Sequence, residues 1–558
     1  MTDDRSQSSG QAASPGRPGA GHDRELALAG LRLVPDSGTR MVAGGSVLVG
    51  GSPVRVLRLT PSGARQVAGW LAGAPVPAGA GARALARKLL DAGIVHPGFA
   101  GTSGPRDARG RAASHRPDGE PVRATPADDA PRCLGPADVT VVIPVRDRHA
   151  ELARCLAGLR DLPHVIVVDD ASADPRAIRR IAATHGAAVI HRPVNGGPGA
   201  ARNSGLESAA TGLVAFLDSD CVPRAGWLEN LLPHFADPAV GAVAPRIVPH
   251  EKGAGWLARY EGASSTLDMG ARPSIVRPGA RVSYVPGAAL VVRKAATGDG
   301  FRERMYVGED VDFVWRMSAA GWRVRYEPGA VMGHDHRVAF RAWFTRRADY
   351  GTSAAALEEL HPGSVRPLYA SWWTVGAWVA MLSGRPVTAA ALTATATALL
   401  ARRLARVTGE HWPVPIWPAD NSNRRDPAPL PASDNSEKRL RLVLPRESAS
   451  WALAARLAGG GTLAAVRPLG SAMSRTWWPV AIPAALAVRK LRLPVAALIL
   501  TPPVLDWADR KPPLDPVRYV AARLLDDAAY SLGVWQGCLA RRSIRPLLPV
   551  IGGKRQPG

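Results

Sequence analysis

The sequence predicts an α/β chain built round a mostly parallel sheet with helices on both faces, and three features carry that expectation. Apolar, β-branched runs alternate with helical stretches from Val139 onward, as in "VTVVIPV", "HVIVVDD" and "GLVAFLDSD". Each run is apolar throughout instead of alternating with polar residues, which is how strands buried on both faces read. Two runs end abruptly in acids, Asp169–Asp170 and Asp218 with Asp220, at the carboxyl ends of strands, where open α/β sheets bind their ligands.

In chain order, residues 1–25 are polar and rich in Gly and Ser, a composition expected to stay disordered and without the apolar stretch of a secretory signal. Residues 26–100 read as a small module. "SVLVGG" and "VRVLRL" are short strands, Thr60 caps a helix with Pro61 at its first position, and "GARALARKLL" puts Leu85 and Leu89 on one face of a second helix. That layout is winged-helix-like and suits a peptide- or protein-docking unit. Residues 101–136 lack periodicity and read as a linker, and 137–350 hold the α/β domain. Residues 351–410 carry two uncharged runs joined across Arg385, read as an apolar helical hairpin. A second linker, 411–448, precedes a helical, apolar and Arg-rich extension over 449–558.

Composition narrows the partners. A formal charge of +23 over 558 residues favours an anionic partner: nucleic acid, a phosphorylated substrate or an anionic membrane surface. The Arg residues are spread along the chain and not gathered on one helix, which argues against nucleic acid. Cys133, Cys155, Cys221 and Cys538 show no paired or zinc spacing, as expected of a reduced cytoplasmic protein. Two readings of residues 367–401 and 477–505 stay open. Trp372, Trp373 and Trp378 with flanking Arg suit the inner face of a membrane, and the many Ala residues suit a soluble helical extension.

The chemistry concentrates in four short stretches. Asp218 and Asp220 can share one hard divalent cation, which in turn bridges a diphosphate; the bland alternative is an exposed turn. Asp170 can accept hydrogen bonds from a nucleobase or ribose. "NGGPGAARNSG" lets backbone approach a ligand closely, and Arg202 offers a fork for phosphate or a base carbonyl. "GEDVDFVWRM" sets Glu309, Asp310 and Asp312 within four positions, a repulsive cluster that a cation or substrate would offset. A carboxylate there can take a proton from an attacking hydroxyl. Downstream, His334 and His336 offer imidazole for a metal shell.

In their order and spacing these stretches resemble the family-2 glycosyltransferases, which have the Rossmann-like GT-A fold. The resemblance implies roles by position. Pro144, Val145, Arg146, Asp170, Arg202 and Asp218 would contact the nucleotide. Asp218, Asp220 and His334 would hold Mn²⁺ or Mg²⁺. Asp310 would be the general base, with Glu309 beside it contacting the acceptor. "VLVGGSPVRVLRLTPSGA", "LLDAGIVHP" and "RYEPGAVMGHDHRVAFRAWF" narrow the likeness to the mycofactocin-system glycosyltransferases of actinobacteria. That implies UDP-glucose as donor, mycofactocin or its peptide precursor as acceptor, a β-linked oligoglucose product and contact with other maturation proteins. It also makes the N-terminal module similar to PqqD-like peptide-binding domains. Two other classes compete: a membrane-associated family-2 enzyme of envelope polysaccharide or glycolipid synthesis, and a nucleotide-sugar or peptide binding module without turnover.

Overall fold

The computed structural model describes residues 28–99, 134–251, 253–408 and 465–552. The expected disordered start, nearly all of the 101–136 linker, the 411–448 linker and Cys133 lie outside the described residues.

The small module has more strands than its apolar runs suggest. Strands β1 (Arg32–Pro35) and β5 (Val95–Gly98) pair with each other, and β2 (Arg40–Val42), β3 (Val47–Gly50) and β4 (Arg55–Arg58) form a second sheet. Strands β1 and β2 escape a reading by pattern because each is only three or four residues long. The two helices are as expected: α1 (Pro61–Leu71) starts at Thr60, whose Oγ1 accepts from Gly63 N at 3.1 Å, and α2 (Ala80–Asp91) buries Leu89 and half-buries Leu85. Ion pairs tie the module to the main domain: Arg87 to Asp237 at 2.6 Å, Arg281 to Asp36 at 2.7 Å and Arg323 to Asp91 at 2.5 Å.

The main domain is a nine-stranded sheet with helices on both faces. The strands needed here are β6 (Val139–Val145), β7 (Val165–Asp170), β8 (Ala188–Arg192), β9 (Leu213–Leu217), β10 (Cys221–Pro223), β11 (Val240–Pro249), β13 (Ala289–Arg293) and β14 (Arg323–His334), in the order β10-β14-β11-β13-β9-β6-β7-β8. A two-sided core confirms the reading of buried strands: Val139, Val141 and Ile143 pack on one face of β6 and Val142 on the other, all fully buried. The mostly parallel expectation holds only for half of the sheet. β9, β6, β7 and β8 run parallel, whereas β13 returns antiparallel between β9 and β11, and β10 lies antiparallel on β14. The order reverses between β6 and β9, which opens a crevice at their carboxyl ends.

After residue 350 the chain keeps going as helix: α9 (Phe340–Leu360) runs across that boundary. The apolar hairpin follows as α10 (Trp372–Leu382) and α11 (Pro386–Thr408), turning at Ser383–Arg385. Helices α12 (Val466–Ala472), α13 (Trp478–Ala487), α14 (Arg492–Arg510) and α15 (Pro516–Ala540) complete the C-terminal segment. Among the described residues one helical stretch, Arg489–Arg510, is long and apolar enough to cross a membrane, at a mean hydropathy of 1.3. Helix α15 packs backbone to backbone on α9. A Cβ on Gly533 would collide with the carbonyl of Ala348, so only glycine allows this approach. A buried network locks the pair: Tyr260 donates to Asp526 at 2.8 Å, Trp343 donates to Glu261 at 2.7 Å, and Arg347 bridges Glu261 and Asp526.

Candidate active site

A cavity of about 680 Å³ opens at the carboxyl ends of β6 and β9. Ten of the residues expected at the site line it, namely Pro144, Val145, Arg146, Asp170, Arg202, Asp218, Asp220, Glu309, Asp310 and His334, and Asp312 and His336 do not. Their arrangement refines several of the expected roles.

Asp170 ends β7, and its carboxylate is largely spent on the chain itself. Its Oδ1 accepts from Gly196 N at 3.0 Å and Arg192 Nε at 2.9 Å, and its Oδ2 accepts from Gly197 N at 2.8 Å. The acid closes the Gly-rich loop, and Gly197 at φ +83° is where that loop needs glycine.

Arg202 is not a free fork. It lies buried in the helix Gly197–Ser208, its Nη2 donating to Asp218 Oδ1 at 2.7 Å and its Nη1 to Glu309 Oε1 at 2.8 Å. Burial alone would lower its pKa, yet the charges of Asp218 and Glu309 outweigh that and raise it. This guanidinium therefore links the acid after β9 to the acid that opens the helix Glu309–Ala319. The "GEDVD" cluster divides accordingly. Asp310 faces the cavity, with Oδ2 accepting from Gly287 N at 2.8 Å. Asp312 turns away, fully buried, to Arg316 at 2.8 Å, Arg302 at 3.0 Å and His361 at 2.9 Å. Three acids in a first helical turn also gain from the helix dipole. Glu309 sits 6 % exposed, its Oε1 accepting from Arg202, so one of its two oxygens is committed to the chain itself. Burial, then the charge of Asp310, pushes its carboxyl up to about 7.

The expected metal group Asp218, Asp220 and His334 comes together only in part. β10 pairs with β14 so that Cys221 lies opposite His334, which brings His334 Nε2 to 3.3 Å from Asp220 Oδ1. Asp218 stays outside this cluster of ligand atoms because Arg202 holds it. Cys221 lies in the cluster, but burial pushes its thiol well up and it donates to Ala288 O at 3.2 Å, so it remains a thiol. Asp220 is held low: burial would raise it, and the hydrogen bond from His334 and the charges of His334 and Arg148 reverse that. Two ligand atoms at right angles on an octahedral ion, with bonds of about 2.1 Å, lie about 3 Å apart, so Asp220 and His334 fit one divalent cation. His334 Nδ1 is buried without a hydrogen-bond partner among the described residues, and His336 instead turns its Nδ1 to His334 O at 3.0 Å, off the cavity wall.

Sequence reasoning missed most of the cations and aromatics of this cavity. Arg148 pairs with Asp220; Arg337 and Arg346 line the wall without an ion pair among the described residues; Tyr284, Tyr306, Arg475 and Tyr530 come from loops and from the C-terminal helices. No local pattern marks them, because an isolated Arg or Tyr on a helix reads as ordinary surface.

The profile described as Glycosyl transferase family 2 matches residues 140–297. A protein named pre-mycofactocin glycosyltransferase, from two strains of Mycobacterium tuberculosis, is 39% identical over 533 residues, covering 94% of this chain and 98% of its own. Glycosyltransferase AglE of Haloferax volcanii is 26% identical over 213 residues, covering 36% of this chain and 67% of its own. Among solved structures, a Pyrobaculum calidifontis mannosyltransferase in complex with GDP-Man and Mn²⁺ aligns at a TM-score of 0.32 and 23% identity, covering 51% of this chain and 83% of its own.

Proposed function

The chain belongs to the family-2 glycosyltransferases, on the branch of the pre-mycofactocin enzymes, and from that membership we propose that it moves glucose from UDP-glucose onto mycofactocin or its peptide-derived precursor with inversion at the anomeric carbon. One observation carries this reading: Asp310 shares a single cavity of about 680 Å³ with Asp170, Asp218 and Asp220, which stand at the ends of two parallel strands.

The Asp310 carboxylate accepts the proton of the acceptor hydroxyl while that oxygen attacks the anomeric carbon. The bond from that carbon to the diphosphate breaks on the opposite face, and UDP leaves with the bonding electrons. An α-linked donor gives a β-glycoside, and repetition gives a β-linked oligoglucose chain. Gly287 N, donating to Asp310 Oδ2 at 2.8 Å, and Val311 N, donating to Oδ1 at 2.8 Å, fix the carboxylate, and each oxygen keeps a second lone pair with which to meet the acceptor hydroxyl. Asp220 and His334 would hold Mn²⁺ or Mg²⁺, which when bound supplies positive charge to the departing diphosphate. Arg337 and Arg346 add two cations on the same wall. Arg202 keeps Asp218 and Glu309 in register across the crevice.

The test is UDP release from UDP-glucose in the presence of pre-mycofactocin. Asp310→Asn is expected to lower turnover at least about a hundredfold with donor affinity kept, the range general bases occupy. Turnover at the wild-type rate would remove Asp310 from the mechanism, and a wild-type chain that binds UDP-glucose but releases no UDP would make it a binding module.

We further propose a cytoplasmic enzyme that rests on the inner face of the membrane, with the N-terminal module receiving the acceptor from other maturation proteins. Trp372, Val387 and Leu493 are exposed at 68%, 81% and 83%, beside Arg385, Arg489, Lys490 and Arg492. Such a surface suits anionic lipid. The chain should float with phosphatidylglycerol vesicles and not with neutral ones; no flotation with either overturns this location.

A further inference from the structure

We propose that the C-terminal helices complete the active cavity with an acceptor subsite, in which Arg475, Tyr284 and Tyr530 bind a planar oxygen group of the acceptor, a carboxylate or an amide. The proposal rests on the glycosyl-transfer reading and deepens it. Arg475 and Tyr530 lie beyond the 140–297 stretch that the family profile matches, and Tyr284 lies within it.

Arg475 lies on a π-turn, Met473–Trp477, inserted between α12 and α13. Such widened turns recur at functional sites because they re-aim one side chain within a helix. Here the residues on either side are hydrogen-bonded to α15, whereas Arg475 makes only a long ion pair with Asp527 and a stacking contact with Tyr530. Ser474 Oγ donates to Asp527 Oδ2 at 2.6 Å, and Thr476 O accepts from Trp535 Nε1 at 2.8 Å, both on α15. Asp527 has little left for Arg475. Its Oδ2 is taken by Ser474 and its Oδ1 accepts from Arg523 Nε at 3.2 Å, while Arg475 Nη1 stands at 3.6 Å, beyond hydrogen-bond reach. The guanidinium is held instead over the Tyr530 ring, 4.4 Å from its centroid.

A stacked guanidinium keeps the donors along its edge available. Among the described residues none of the N–H groups of Arg475 donates a hydrogen bond, and the hydroxyls of Tyr284 and Tyr530 make none either. All three side chains line the cavity that holds Asp310. Burial pushes the Tyr284 hydroxyl up to about 12, and the charges of Arg475 and Asp310 both bear on it. A forked donor and two hydroxyls in the cavity that holds a proton-accepting carboxylate match the paired oxygens of a carboxylate or the carbonyl of an amide. Such a contact would fix which hydroxyl of the acceptor reaches Asp310. The segment is rigid enough for this task, because Gly533 and the Arg347–Asp526–Glu261 network bind α15 to α9.

The experiment measures UDP release with pre-mycofactocin varied at saturating UDP-glucose, and separately the slow release of UDP without acceptor. Arg475→Ala is expected to raise the acceptor KM at least about tenfold, the loss typical of one charge-assisted contact, while the donor KM and acceptor-free hydrolysis stay within about twofold. Acceptor-free hydrolysis reports the transferase reading by itself, so its failure in the wild-type chain is distinguishable from failure of the subsite. Arg475→Lys and Arg475→Gln separate the two oxygen groups and serve if the alanine variant does not fold. A carboxylate is retained better by Lys, an amide better by Gln. An acceptor KM unchanged in all three variants, or a fall in acceptor-free hydrolysis parallel to the fall in transfer, overturns the proposal.

Discussion

The ends of β7 and β9 look alike in sequence, each an apolar strand running into two acids, and the fold uses them differently. At β7 the carboxylates are satisfied mainly by the chain nearby. Asp169 accepts from Ser172 N at 3.0 Å and faces His191 at 2.9 Å, and Asp170 binds two backbone amides of the Gly-rich loop. At β9 the carboxylates face side-chain cations only: Arg202 on Asp218, and Arg148 with His334 on Asp220. Backbone amides cannot leave, so the β7 acids are committed to shaping a loop. Side-chain cations can swing away or share their carboxylate with an ion, so the β9 acids remain open to exchange.

That contrast can be broken most sharply at Asp220. Asp220→Ala should abolish the response of turnover to added Mn²⁺ and lower kcat/KM by at least about a hundredfold, as expected when charge stabilisation of a leaving group is lost. Its thermal stability should move little. A variant that keeps its metal response would put the cation on other ligands. Asp170→Ala should show the opposite balance. It strands the amides of Gly196 and Gly197 and should cost about 1–3 kcal/mol in denaturant unfolding, with a rise in donor KM and a nearly intact metal response. Equal loss of metal response in both variants would erase the distinction between the two strand ends.

The smallest effect expected is on pH. Burial and the Asp310 charge push the Glu309 carboxyl up to about 7, from an ordinary value of 4.5. The folded chain therefore holds this proton more tightly than the unfolded chain does, and the group's contribution to stability declines as pH climbs from 4.5 to about 7. Above that range Glu309 is charged and fully paired with Arg202, so turnover should rise with pH through about 7. Glu309→Gln removes the titrating carboxyl and should remove this acid limb of the kcat profile; a limb that stays in place assigns it to another group.

Much of the nucleotide half was legible in the sequence because its signals are local. Continuous apolar runs give buried parallel strands, and an acid directly after such a run stands at the ligand edge. The same reasoning gave Arg202 as a site residue and misjudged its task, since only the folded chain reveals that Asp218 and Glu309 consume its fork. Asp312 shows the same limit: three acids in one turn read as a cluster, and the helix sends one of them to Arg316 and His361. The antiparallel return of β13 was hidden as well, because a five-residue apolar strand carries no mark of its direction.

By itself the sequence determined the α/β class, the carboxyl-edge acids and their order along the chain, because period and strand-end chemistry act over a few residues. The tertiary structure alone decided that His334 meets Asp220 across 114 positions, that Asp218 belongs to Arg202, and that Arg475 and Tyr530 close the cavity from the far end of the chain. Those facts depend on strand pairing and helix packing between distant segments, where a side chain's partner is chosen by geometry and not by its neighbours in sequence.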